Sequence, residues 1–109
     1  MYRFSLFLVF GALSGLANAA SFGWAVPKSV LQEAGILHVE FGTAAPRTGL
    51  PGCAVRTFID VSTDAGRMRA SLALTAFAAK KEVWVEVDDE ITGCQWGTSV
   101  PNKWIRARQ

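Results

Sequence analysis

The chain has 109 residues, with 11 Lys and Arg against 9 Asp and Glu and a formal charge of +2. That length supports a single domain. So even a balance lacks the basic excess that binds nucleic acid or an anionic membrane surface, and nucleic acid is not an expected partner.

In chain order, Met1-Tyr2-Arg3 supplies one positive charge, and a Phe-, Leu- and Val-rich run from Phe4 follows it to Leu16. The run ends in Leu16-Ala17-Asn18-Ala19-Ala20, whose Ala17 and Ala19 form the A-x-A pattern read by signal peptidase. Residues 1–19 are therefore predicted to be a signal peptide. A membrane anchor needs about 20 continuous apolar residues, and this run is shorter and contains Gly11 and Gly15. The expected product is one soluble domain, residues 20–109, without a membrane span and exported to the periplasm or the medium. Without Arg3 its charges nearly cancel.

Pro27 to Ala34 reads as a short helical turn stopped by Gly35. Ile36 to Phe41 alternates, with Leu37, Val39 and Phe41 on one side and Ile36, His38 and Glu40 on the other, as a half-buried strand does. Gly42 to Gly52 is a loop. Ala54 to Val61 is a second strand, with Val55, Thr57, Ile59 and Val61 facing one way. Ser62-Thr63-Asp64 offers capping oxygens for a helix from Ala65 to Lys81, where Lys80 and Lys81 suit the C-terminal dipole. Val83, Val85 and Val87 alternate with Trp84, Glu86 and Asp88 in a third strand. Asp88 to Pro101 is a loop, and Lys103 to Arg108 forms a last strand with Ile105 and Ala107 inward.

Cys53 and Cys94 are the two cysteines. An exported chain meets an oxidising compartment, and two cysteines allow one intramolecular bond. Closing a loop of about 40 residues stabilises a fold by roughly 3–4 kcal/mol in the chain-entropy account. The alternative, a reactive or metal-binding thiol pair, lacks C-x-x-C spacing and has His38 as its sole histidine partner.

The chain offers little for catalysis. His38 is the one histidine, read as an edge or surface side chain rather than a base or metal ligand. Asp88-Asp89-Glu90 lacks the spacing of a calcium loop and reads as a solvated turn. No enzyme, metal or cofactor is expected.

The tryptophans carry more information. Alternation points Trp84 outward with Glu86, and Trp104 outward with Arg106. If their strands are neighbours, these four residues share one face, which is either a ligand or interface surface or is covered by a loop. Trp96 in the following loop belongs to the same candidate set. On the helix, Met68, Leu72, Ala76 and Ala79 form one apolar stripe at 100° per residue. Leu74 and Phe77 lie nearly opposite, a second stripe that asks for another copy of the chain or a loop lid.

Cys53-Ala54-Val55, the helix segment Ala70-Ser71-Leu72-Ala73-Leu74-Thr75-Ala76, the run Lys80-Lys81-Glu82-Val83-Trp84-Val85-Glu86-Val87-Asp88, Cys94 and Trp104-Ile105 together resemble one family. These are the small exported proteins similar to the B subunit of subtilase cytotoxin, with the OB-like fold of AB5 toxin binding subunits. The resemblance covers about residues 36–108. It implies a mainly β fold, a five-stranded, partly open OB-like barrel with one α-helix and a Cys53–Cys94 bond. It further implies a homopentamer with central helices, a toxin A subunit as partner, and binding of sialylated or other cell-surface glycans. No sugar-contacting residue transfers by this likeness. The competing expectation is a periplasmic protein–protein or inhibitor module that binds no glycan.

Overall fold

The computed structural model describes residues 20–43, 45–88 and 91–108 and has six strands and one helix among them. The predicted signal peptide, together with Asp89 and Glu90 of the acidic turn, lies outside the described residues. The elements are β1 (Ala20–Ala25), β2 (Ser29–Glu33), β3 (Ile36–Glu40), β4 (Arg56–Asp60), α1 (Asp64–Ala79), β5 (Val83–Val87) and β6 (Ser99–Ala107). They form one mixed sheet in the order β1-β5-β6-β4-β3-β2, in which β1 and β2 stand at the two ends and the sheet is not closed. A mainly β architecture with one helix is therefore present, with six strands where the resemblance implied five and alternation located four.

Of the two strands that alternation did not locate, β1 and β2, the second stands where a helical turn is expected. Ser29 to Glu33 pairs antiparallel with Ile36 to Glu40. Ala34 and Gly35 both take positive φ, 50° and 78°, the two-residue hairpin geometry that turns one right-twisted strand into the next. Gly35 thus serves a hairpin and stops no helix. Pro27 has no amide hydrogen to donate; it lies in the three-residue link between β1 and β2, and at Lys28 the ladder resumes with its N–H donating to the Glu40 carbonyl at 2.7 Å.

The last strand begins earlier than the sequence suggested. Ser99, Val100 and Pro101 run parallel to Arg56, Thr57 and Phe58. From Asn102 onward the same strand pairs antiparallel with β5, so β6 changes partner at a proline that cannot donate. This crossing joins the two halves of the sheet.

One side of β3, β4, β5 and β6 fills the core. Leu37, Val39, Ile59, Val83, Val85, Val87, Val100 and Ile105 are buried, as period-two alternation requires. Phe22 and Phe41 join them with ring centroids 5.1 Å apart. Thr57 is also buried, and its hydroxyl donates to the Val100 carbonyl at 3.0 Å, which satisfies the one polar group on that side of β4.

Helix α1 starts at Thr63, whose side chain accepts from the Gly66 amide. It ends with Lys80 in the left-handed region as its C-cap, so Lys80 turns the chain instead of extending the helix. The face it buries is made of small residues, Gly66, Ala70, Ala73 and Ala76. A Cβ on Gly66 would stand 1.7 Å from the Asp60 carbonyl oxygen, so glycine is required for the helix to leave β4 so closely. This stripe runs between the two apolar stripes read from the sequence, and Met68 and Leu72 do not face the sheet as a main stripe would. Met68, Leu72, Leu74 and Phe77 are all exposed.

Candidate functional site

Sequence alternation placed Trp84, Glu86, Trp104 and Arg106 on one face, and strand pairing brings them together. Trp84 stands opposite Arg106, and Glu86 opposite Trp104, across the β5–β6 ladder. Trp24 of β1, opposite Trp84 on the other side, completes the group; β1 had not been recognised as a strand, so Trp24 could not be assigned a face.

Within this group the polar edges find partners in the chain. Trp84 Nε1 donates to Glu86 at 2.9 Å. The Trp24 and Trp84 rings meet edge to face with centroids 5.9 Å apart, the arrangement that the ring quadrupole favours. Arg108 stacks on Trp24 with its guanidinium carbon 3.9 Å from the ring centre, and it pairs with Glu82 at 2.9 Å. Arg106 lies 5.8 Å from Trp24 and 5.4 Å from Trp104. Cation–π contacts of this kind contribute about 0.5–2 kcal/mol each. Trp24 and Trp84 are half-buried, and Trp104 is 37% exposed.

Trp96 is not part of that group. Its turn folds over the outward side of β3 and β4. There its ring meets those of His38 and Phe58 edge to face, both at centroid distances of 5.1 Å and at angles of 79° and 82°. His38 and Phe58 are cross-strand partners. The turn is fixed by hydrogen bonds in both directions between the backbones of Gln95 and Ser99, and its neighbour Cys94 bonds to Cys53. Trp96 holds a positive φ of 51°, a conformation that costs a non-glycine residue roughly 1–2 kcal/mol. Even so, the indole is 60% exposed. An exposed ring held by two edge contacts on a bonded turn has little freedom left to lose.

His38 is 5% exposed and shares a 3.3 Å hydrogen bond between its Nδ1 and the Ser99 hydroxyl. The sequence reading as a surface histidine is therefore corrected: alternation does turn it away from the core, but the Trp96 turn covers it. Phe58, which sequence reasoning passed over, carries the other half of the support. Strand register sets a polar row beside this aromatic one. Ser29, Glu40 and Arg56 stand side by side, with Ser29 donating to Glu40 at 3.1 Å and Arg56 pairing with it at 3.8 Å. Leu31, opposite His38 on β2, is 50% exposed.

The predicted cysteine pair forms the Cys53–Cys94 disulfide, and neither cysteine is free. It ties the loop before β4 to the turn that carries Trp96. Among the described residues there is no group of three or more His, Cys, Asp or Glu that could hold a metal ion, and no helix is long and apolar enough to cross a membrane. Leu74 and Phe77, the candidate oligomer face, are 43% and 37% exposed. Compared with known proteins, the chain matches no family model, no curated protein and no solved structure.

Proposed function

We propose that this protein is an exported, non-catalytic binding module that recognises cell-surface glycans, sialylated ones among them, on the outward side of β2, β3 and β4. The observation that carries this reading is Trp96, an indole exposed to solvent yet held by His38 and Phe58. The apolar face of a pyranose ring stacks on such a surface, and Ser29, Glu40 and Arg56 supply donors and acceptors for its hydroxyls at the adjoining register. Pre-organisation reduces the ordering cost of binding. The disulfide, which forms in oxidising compartments, supports export.

An OB-like barrel of the subtilase cytotoxin B-subunit type is the architecture proposed. Taking β1 and β2 as two halves of one strand interrupted at Pro27 yields five strands, and the order β1-β5-β6-β4-β3-β2 then returns to its starting strand. OB folds place oligosaccharides on this side of the barrel and its adjoining loops. Within this proposal the exposed Leu74 and Phe77 form the contact between copies in a homopentamer, which would carry a toxin A subunit.

The test is a glycan array probed with oxidised protein. Binding above background that falls at least ten-fold in Trp96→Ala, with the melting temperature kept, supports the reading. Background signal across the array refutes it.

A second reading, a periplasmic protein–protein or inhibitor module, is favoured by the apolar outer side of α1, where Met68 is 72% and Leu72 41% exposed. Light scattering separates the two: a mass near five protomers supports the ring, and a lone protomer supports the second reading.

A further inference from the structure

The outward face of β1, β5 and β6 has a different character from the Trp96 platform. The geometry points to a docking surface there for a protein partner that presents an acidic side chain, with Arg106 receiving the carboxylate. This inference stands apart from the glycan reading, because it uses other strands and other residues.

The argument begins with charge. Among the ionic side chains of this face, Glu82 pairs with Arg108, and Glu86 accepts from the Trp84 indole. Arg106 is the exception. Its contacts are the two flanking indoles, and among the described residues no carboxylate lies within ion-pair distance of it. Among the described residues the Arg106 guanidinium makes ring contacts and no hydrogen bond, and its N–H groups are the ones that take a carboxylate in bidentate fashion. The cation is thus held in position with its recognition edge unused.

The chemistry of the surroundings selects the partner. Tryptophan and arginine are the residue types that dominate the energetics of protein interfaces, and here three indoles and two guanidinium groups sit on adjacent strands. Contacts within the chain already order them, so docking freezes few rotamers. The surface is the outward side of three neighbouring strands, whereas small-molecule sites are concave. Strand addition is closed off at Ser21, where β1 and Thr48 exchange hydrogen bonds in both directions at 2.9 Å. A partner therefore meets side chains rather than extending the ladder there. The residues used here lie on β1, β5 and β6, whereas Trp96 rests on His38 of β3 and Phe58 of β4, so the two surfaces draw on different strands.

The test uses oxidised protein and blocked peptides in which Phe alternates with Glu or, as the uncharged match, with Gln. Calorimetry is expected to show the Glu peptide binding at least ten-fold tighter, with the preference weakening as salt rises. In Arg106→Gln the two peptides should come within about two-fold of each other. Arg106→Lys should fall between, because it keeps the charge and loses the fork. Trp96→Ala should keep the full preference. Wild-type protein that does not distinguish the peptides overturns the inference, as does a preference that survives in Arg106→Gln. Selectivity confined to glucuronate or to phosphatidylserine vesicles assigns the face to a sugar or a membrane and overturns it equally. Near-UV circular dichroism confirms folding of each variant, and if Arg106→Gln is unfolded the Arg106→Lys comparison decides.

Discussion

The face of β1, β5 and β6 and the face of β2, β3 and β4 both display tryptophan, and they hold it in opposite ways. On the first, Trp24 is stacked by Arg108, Trp84 is hydrogen-bonded to Glu86, and each ring contributes to the cohesion of three strands. On the second, Trp96 is supported from below by His38 and Phe58 and is mostly open above. One residue type therefore does two kinds of work. A ring whose surroundings are supplied by its own chain adds stability, whereas a ring with one side left open adds a contact surface at little benefit to the fold.

That contrast can be broken most forcefully through the disulfide. Replacing both cysteines, Cys53→Ser with Cys94→Ser, should lower stability by roughly 3–4 kcal/mol and should loosen the Trp96 turn before the β1–β5–β6 face. Chemical denaturation measures the first effect, and amide exchange at Gln95 and Ser99 the second. Equal loss of protection on both faces would show that the bond acts on the whole fold and holds neither face in particular.

Next in size is the paired comparison of tryptophans. Trp24→Ala removes an edge contact and the stacking surface of Arg108, and should cost about 2–3 kcal/mol, below the usual range for a fully buried ring. Trp96→Ala should cost under about 1 kcal/mol, because most of its ring is in solvent. Thermal unfolding of the two variants side by side checks the ordering. If Trp96→Ala proved the more destabilising, Trp96 would be a cover for His38 and Phe58 and not a platform.

The smallest expected effect concerns acid. Asp60 accepts from both the hydroxyl and the amide of Ser62, and these bonds hold its carboxyl below the usual aspartate range. A group whose folded pKa is depressed stabilises the fold above its unfolded pKa and loses that contribution as the pH falls through the folded value. Asp60→Asn should therefore narrow the stability difference between neutral and strongly acidic solution only slightly, since the carboxylate is in solvent. Melting curves in low-salt buffers across the acid range will read it.

Much of this architecture was visible in the residues, because its cause is local. The Thr63 cap and the helix formers after it located α1, and three valines at period two located β5 and its buried side. What escaped depended on distant parts of the chain. β1 is broken by an irregularity between Ser21 and Gly23, so its alternation is lost and Trp24 with it. The burial of His38 is imposed by a turn that follows β5, which no window around His38 contains. On the helix, size decided what apolarity could not. The sheet accepts Gly66, Ala70, Ala73 and Ala76 because they let the backbones come close, and it turns the larger side chains outward.

The position of β6 in the sheet bears on how the molecule is assembled during synthesis. Ser99–Ala107 is the last described element to leave the ribosome, and it lies between β5 and β4. Before it emerges, the nascent chain can form a pair from β1 and β5 and a meander from β2, β3 and β4, and no strand pairing joins them. A polypeptide whose sheet is completed only by Ser99–Ala107 keeps its two strand groups unjoined until that segment has been made.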